Sequence, residues 1–86
     1  MKKLEKIIKA FGNARRLAIL QYLKKNKVAS VTEIADKTKA SYKSTSKHLA
    51  ILYQADILDR RQVSYEMHYS ISDTLDQETT HLLKLV

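Results

Sequence analysis

The sequence has 86 residues, of which 44% are hydrophobic, as expected for one small globular domain over residues 1–86. It contains no cysteine, which excludes disulfides and thiolate metal sites. No apolar run approaches the ~20 residues that span a membrane, and lysines interrupt residues 1–11 too often for a signal peptide. The formal net charge of +7 favours nucleic acid or an anionic membrane surface as partner. We therefore expect a basic, cytoplasmic protein.

The first predicted helix covers residues 2–11. Its apolar side chains follow the spacing i, i+3, i+4, i+7, which places them on one helical face, opposite a row of lysines. They are Leu4, Ile7, Ile8 and Phe11. A basic amphipathic helix can also lie on a membrane, but this one is short and has a single aromatic residue. Packing against protein is the favoured interpretation.

A second helix is predicted from residue 14 to about residue 25. Gly12 suits the end of the first helix, and Asn13 is a good N-cap for the second. Apolar residues cover most of its circumference, which indicates a central position in the domain. Arg15 and Arg16 stand in its first turn, where the helix dipole disfavours cations. That conflict predicts a further role for at least one of these arginines.

A helix-turn-helix is predicted after a loop at residues 26–29. Ser30 and Glu33 have the spacing of a capping box, ahead of a short helix that runs to about Lys39. The hydroxyl group of Ser41 can cap the next helix. Two short helices joined this tightly form a helix-turn-helix.

The second of these helices has a polar, basic first half and an apolar second half. A DNA-recognition helix needs this layout, because its leading residues enter the major groove while the rest packs on the domain. The alternative is an ordinary amphipathic helix with a solvated polar face. The flanking segments decide between the two interpretations.

A β-hairpin follows, with strands at residues 57–62 and 65–71 and its tip at Val63 and Ser64. The second strand alternates between apolar and polar residues, and Tyr65 and Tyr69 are expected to face the core. Arg60 and Arg61 make the hairpin basic, as in a wing that reaches along the DNA backbone. The fold class predicted is therefore mainly α with a small β-hairpin, a winged helix-turn-helix of the order α-α-α-α-β-β-α.

A last helix is predicted over residues 73–85, capped by Ser72 or Asp73. Its apolar residues are Leu75, Leu82, Leu83 and Val86. Like the first helix, it is a terminal helix with one apolar face.

From Phe11 to Ile71 the sequence resembles the ArsR/SmtB family of winged helix-turn-helix repressors. The matching segments are NARRLAIL at 13–20, SVTEIA at 30–35, residues 41–58 with SKHL at 46–49, and YSI at 69–71. The resemblance implies a transcriptional regulator that binds a palindromic operator in double-stranded DNA as a homodimer and represses transcription.

The homodimer implied by the resemblance would pair the first and last helices of two chains. Pairing these apolar faces across a two-fold axis would bury both. The predicted interface residues are Leu4, Ile7, Ile8, Phe11, Leu75, Leu82 and Leu83. The alternative is that the same residues complete the core of a single chain.

Contacts with DNA are predicted for the recognition helix and the wing. Candidates for base contacts are Tyr42, Lys43, Ser44 and Ser46, whose groups can donate to base edges or pack on a thymine methyl group. Candidates for backbone contacts are Ser41, Lys47, Arg60 and Arg61. Because neighbouring strand residues alternate, one of the two arginines is expected to point away from the DNA.

No metal site and no cofactor are predicted. Residues 31–36 lack the cysteines with which many members of the family bind metals, and Asp76 and His81 are five residues apart, which puts them on different helical faces. His48 and His68 come from separate elements, so each histidine is expected to be hydrogen-bonded or solvated. An effector ligand stays open.

Two further departures from the family pattern concern the recognition helix. Asp56 stands at its end where relatives commonly have glycine, and aspartate tolerates left-handed geometry at some cost. Thr45 replaces an aliphatic residue and is expected to loosen the packing beneath the helix.

The main rival function is a winged-helix protein-interaction module that binds DNA only non-specifically. Asp56, Asp59 and Glu66 near the predicted DNA face favour it. An enzyme is not predicted, because no nucleophile with an adjacent base, glycine-rich phosphate loop or carboxylate pair stands out.

Overall fold

A computed structural model describes residues 1–86 as five helices and three strands. The helices are α1 (Lys2–Phe11), α2 (Ala14–Asn26), α3 (Val31–Lys37), α4 (Tyr42–Gln54) and α5 (Gln77–Lys84). The strands are β1 (Val28–Ser30), β2 (Leu58–Val63) and β3 (Glu66–Ile71), which form an antiparallel sheet in the order β1-β3-β2. The predicted fold class, a mainly helical winged helix-turn-helix, is confirmed. None of the five helices combines the length and the apolar character needed to cross a bilayer.

The core lies where the helices meet the sheet. Its fully buried side chains include Ile19 and Leu20 of α2, Ile34 of α3, and Leu49 and Leu52 of α4. The strongly apolar α2 is central, as its sequence predicts, because it contacts α1, α4 and two strands. This packing sets the direction in which α4 presents its polar side chains.

The predicted N-caps of three helices are confirmed. The Asn13 side chain accepts hydrogen bonds from the backbone N–H groups of Arg15 and Arg16. Ser30 Oγ accepts from Glu33 N, and Ser41 Oγ accepts from Ser44 N, both at 3.1 Å. Each of these bonds satisfies N–H groups that lack a partner within the helix.

The capping box at Ser30 is only half formed. The Glu33 carboxylate, which was expected to turn back to Ser30, instead accepts a hydrogen bond from the Tyr22 hydroxyl group. Tyr22 lies on α2, so this contact ties α3 to the central helix. The same bond raises the pKa of Tyr22.

The prediction of a loop at residues 26–29 was wrong, because β1 begins at Val28. Val28 pairs with Ser70 and Ser30 with His68 of β3. A strand of three residues is too short to show alternation, and its partner lies far along the sequence. The α3 helix is also shorter than predicted, and ends at Lys37 rather than near Lys39.

The tip of the wing lies one residue later than predicted. Val63 pairs with Glu66, so Ser64 and Tyr65 form a two-residue loop. Ser64 adopts a left-handed φ of 56° there. The prediction that Tyr65 faces the core was therefore wrong, because its side chain is 100% exposed.

The last helix begins at Gln77, four residues later than predicted. Asp76 is its N-cap and accepts from Thr79 N at 3.0 Å. Ser72 was a candidate for this cap, but its Oγ accepts from Thr74 N and so stabilises a turn. The residues between β3 and α5 are irregular because their polar side chains bond locally.

Lysines hold α5 at both ends. Lys24 Nζ of α2 donates to the carbonyl oxygens of Leu83 and Val86, both at 2.9 Å, which satisfies acceptors at the C-terminal end of the helix. Lys3 of α1 forms an ion pair with Asp76 at 3.2 Å. The partly buried apolar residues Leu82, Leu83 and Val86 pack on the core between these contacts.

The structure confirms the left-handed geometry predicted for Asp56, which follows α4, while the looser packing expected at Thr45 stays a prediction. Asp56 has a φ of 61°, the left-handed geometry expected after the helix. Thr45 lies in the buried face of α4, 2% exposed, and its Oγ1 has no hydrogen-bond partner. An unpaired buried hydroxyl group carries a desolvation cost that an aliphatic side chain avoids.

We expect Thr45→Val to raise the free energy of unfolding by about 1 kcal/mol, because it replaces the unpaired hydroxyl group with a methyl group of similar volume. Denaturation in urea at a set protein concentration measures the change. Thr38→Val is the matched control, because Thr38 Oγ1 donates to Ile34 O at 2.7 Å. This control should be less stable than the wild type; a Thr45→Val protein that also loses stability would contradict the expectation.

Candidate nucleic-acid interface

The α4 helix has one buried and one exposed face. Thr45, Leu49 and Leu52 form the buried face. Because each residue advances by about 100° around the helix, Lys43 and Lys47 fall on the opposite side, one turn apart, and both are exposed. Two cations thus project from the first half of α4, away from the core.

Polar side chains flank these lysines on both sides. Ser46 shares one flank with Tyr42, whose side chain is 61% exposed, and Ser44 shares the other flank with His48. The four predicted base-contact residues therefore lie within the first two turns of α4. The Oγ lone pair of Ser41 is used in the N-cap, while its hydroxyl hydrogen stays available to a phosphate oxygen.

The wing places Arg60 beside α4. Its guanidinium carbon lies 3.9 Å from the centroid of the Tyr53 ring, a cation–π contact between the wing and the recognition helix. Arg61 is paired with His68 and points to the other side of the sheet, since neighbouring strand residues alternate. The structure therefore brings Arg60, but not Arg61, into contact with the last turn of α4.

Tyr65 is a candidate that the sequence analysis missed. It stands at the wing tip with its side chain fully exposed. Placing the start of the second strand at Glu66 would have put Tyr65 in the loop. The sequence gives no such signal, because no glycine or Asn-Gly pair marks the loop.

Arg16 has the additional role that its place in α2 predicts. Its Nε and Nη2 atoms donate to the carbonyl oxygens of Ala10 (2.8 Å) and Lys9 (3.0 Å), at the C-terminal end of α1. Its Nη1 lies 3.0 Å from Nδ1 of His48. His48 is therefore a hydrogen-bonded histidine, as expected, and it is on the Ser44 flank of α4.

The surroundings of His48 favour its neutral form. Partial burial lowers its pKa below the ordinary value of 6.5, and the positive charges of Arg16 and Arg15 lower it further. The ring is therefore uncharged at neutral pH.

The predicted dimer-interface residues divide between core and surface. Ile7 and Phe11 are buried in the core of the single chain, 2% and 8% exposed, so little of either side chain is left for a partner. Ile8 is 55% exposed, and Leu85 beyond α5, which was not predicted, is 73% exposed. The remaining residues, Leu4, Leu75, Leu82 and Leu83, are partly exposed.

No three or more His, Cys, Asp or Glu side chains come together as metal ligands. Asp76 is occupied as the N-cap of α5 and as the partner of Lys3, and hydrogen bonds from Thr79 lower its pKa. His81 is exposed on α5.

Comparison with known proteins identifies close similarity in sequence and fold. An uncharacterized HTH-type transcriptional regulator of Methanocaldococcus jannaschii is 36% identical over 90 residues, which cover all of this chain and 97% of that protein. The transcriptional repressor PagR of Bacillus anthracis is 26% identical with a TM-score of 0.79, over 98% of this chain and 92% of PagR. The homodimeric winged helix-turn-helix DNA-binding domain Mb0332 of Mycobacterium bovis is 25% identical with a TM-score of 0.82, over 98% and 74% of the two chains.

The family described as bacterial regulatory protein, arsR family, matches residues 13–60. This match runs from the N-cap of α2 to Arg60 of the wing and contains the whole helix-turn-helix. Together with the similarity to the regulator of M. jannaschii over the full chain, it shows that the protein belongs to the arsR family of DNA-binding transcriptional regulators.

Proposed function

We propose that this protein is a homodimeric repressor that binds a palindromic operator, without the cysteine metal site of many relatives. The observation that carries the proposal is the exposed face of α4, where Lys43 and Lys47 project between two serines. The PagR repressor and the homodimeric Mb0332 domain, both similar over 98% of this chain, support repression and dimerisation.

Reading of the base sequence is assigned to the first two turns of α4. Lys43 donates to guanine, Ser46 to one of several bases, and the exposed Tyr42 ring packs on a thymine methyl group. Ser44 has a lesser part, because it lies on the flank of α4 that contains His48, the residue in contact with Arg16.

Contacts with the DNA backbone are assigned to Ser41, Lys47 and the wing. Arg60 is the stronger wing candidate, because its stacking on Tyr53 holds the charge beside α4 before DNA is bound. Arg61 has the weaker contact. The exposed Tyr65 at the wing tip is a further contact with the sugar–phosphate backbone.

Dimerisation is assigned to α1 and α5, which lie side by side and are joined by the Lys3–Asp76 ion pair. Ile8 of α1 and Leu85 after α5 are exposed apolar side chains that are available to a partner. In a dimer with its two-fold axis through this surface, the two α4 helices would enter the major groove on the same side of the DNA, one helical turn apart.

Selection of bound duplexes from a random DNA library, at about physiological salt, tests the function. We expect enrichment of a two-fold symmetric site whose half-sites are about 10 base pairs apart. Failure to enrich any sequence, with affinity that disappears as salt rises, would refute the proposal and favour the protein-interaction module.

Lys43→Ala should weaken binding to the selected site by about tenfold, because one base contact is lost. Its effect on a random duplex should be about twofold, measured by fluorescence anisotropy. Lys25→Ala, which removes an exposed cation at the far end of α2, is the control and should affect neither duplex. Equal losses on both duplexes would make Lys43 a phosphate contact.

Arg60→Ala should reduce affinity for all sequences and lower the slope of log affinity against log salt by about 1. Arg61→Ala serves as the matched control on the opposite face of the same strand and should change the slope less. An unchanged slope for both variants would exclude the wing from the interface.

Ile8→Glu should shift the protein from dimer to monomer in sedimentation equilibrium, because it places a charge in the proposed apolar interface. Val28→Glu is the matched control, since Val28 is 54% exposed but lies on the sheet. A dimer that survives Ile8→Glu and dissociates with Val28→Glu would place the interface elsewhere.

A further inference from the structure

The Arg16 side chain joins three helices at one point. It belongs to α2, two of its nitrogens donate to carbonyl oxygens at the end of α1, and the third lies 3.0 Å from Nδ1 of His48 on α4. A guanidinium group has donors only, so Nδ1 of His48 must be the acceptor in this contact. The contact therefore requires a neutral imidazole ring that carries its proton on Nε2.

We propose that Arg16 is a positioning residue for DNA binding, which holds the recognition helix through neutral His48 and releases it when His48 is protonated. The inference rests on the proposed function, because its effect is on operator recognition. It assigns a part in recognition to Arg16 and His48, which contact each other. Arg16 also contacts the backbone of α1, a helix of the proposed dimer interface.

The loss of the contact on protonation follows from the donor count. A protonated ring carries hydrogens on both nitrogens, so it offers no acceptor to the guanidinium group. The charged groups that face the ring from α2 are Arg15 and Arg16, both cationic. The carbonyl oxygens of Lys9 and Ala10 in α1 contact Arg16 and not the ring. Lys47 is its cationic neighbour on α4. Protonation would thus add a positive charge among cations.

These surroundings determine the direction of the pH dependence. The pKa of His48 lies below 6.5 in the folded protein, so the unfolded chain takes up this proton first as the pH falls. The stabilising contact is complete above about pH 6.5 and is lost as the pH falls below it. Exposed His81 has no comparable contact with a neighbouring helix.

Release of His48 would alter the orientation of the α4 face that reads bases. Ser44 lies one turn before His48 on the same flank, and Lys47 directly precedes it. Base contacts need accurate orientation, while phosphate contacts tolerate small shifts. Acidification should therefore weaken binding to the operator more than binding to an unrelated duplex.

The opposite result is also physically meaningful. Phosphate groups close to His48 would favour its protonated form, and binding would then strengthen as the pH falls. That outcome would make His48 a cationic DNA contact and would overturn the proposal.

The test compares His48→Asn with the wild type and with His81→Asn as the matched control. The amide oxygen of asparagine can occupy the position of Nδ1 and accept from Arg16, but it does not titrate. Affinities for the selected operator and for an unrelated duplex are measured by anisotropy from about pH 7.5 down to the lowest pH at which the wild type stays folded, at constant ionic strength. Thermal unfolding at each pH verifies that every variant is folded.

We expect the wild type to lose operator affinity as His48 becomes protonated, by about tenfold once the ring is charged, as for one hydrogen bond to a charged group, and much less on the unrelated duplex. His48→Asn should bind as the wild type at pH 7.5 and stay constant on acidification, while His81→Asn follows the wild type. Equal acid dependence in the wild type and His48→Asn would refute the inference.

Arg16→Lys provides an independent measurement at pH 7.5. Lysine keeps the charge but cannot donate to three acceptors in one plane, so operator affinity should fall about tenfold while non-specific affinity is retained. Unchanged operator affinity would contradict the positioning role. A wild-type protein that prefers no sequence at pH 7.5 would refute the proposed function, whereas a preference that is indifferent to pH would refute only the inference about His48.

Discussion

The direction in which α4 presents its polar side chains depends on the burial of its other face. Leu49 and Leu52 have no exposed surface, and Thr45 has almost none. Because side chains follow one another at about 100° around a helix, this burial determines where Lys43 and Lys47 point. The packing of apolar side chains in the core thus determines which basic side chains of α4 are exposed.

Local patterns in the sequence were sufficient to predict most of the fold. The apolar spacing of α1, the caps at Asn13, Ser30 and Ser41, and the basic hairpin each depend on residues that are neighbours along the chain. For the same reason, the residues expected to contact DNA from α4 lie together on its first two turns. Periodicity and capping reflect interactions within one helix, so they predict where a helix lies and which of its residues share a face.

Features that depend on distant parts of the chain could not be predicted. β1 exists because it pairs with β3, about 40 residues later, and the contact between Arg16 and His48 spans 32 residues. The stacking of Arg60 on Tyr53 likewise requires the sheet to be placed against α4. The position of Arg16 in the first turn of α2, where the helix dipole disfavours cations, was the one local sign of such a contact. It indicated a further role for an arginine but did not identify His48 as the partner.

The attachment of α5 has a consequence for the way the native protein opens. Thr79 is its only buried residue, its apolar residues Leu82 and Leu83 and the following Val86 are only partly buried, and the exposed Lys3–Asp76 ion pair holds its first turn. Exposed ionic contacts weaken as salt screens them, whereas buried apolar contacts do not. The C-terminal helix should therefore open as a separate local unit, more readily as salt screens the Lys3–Asp76 pair, and its amide hydrogens should exchange with solvent well before those of α4.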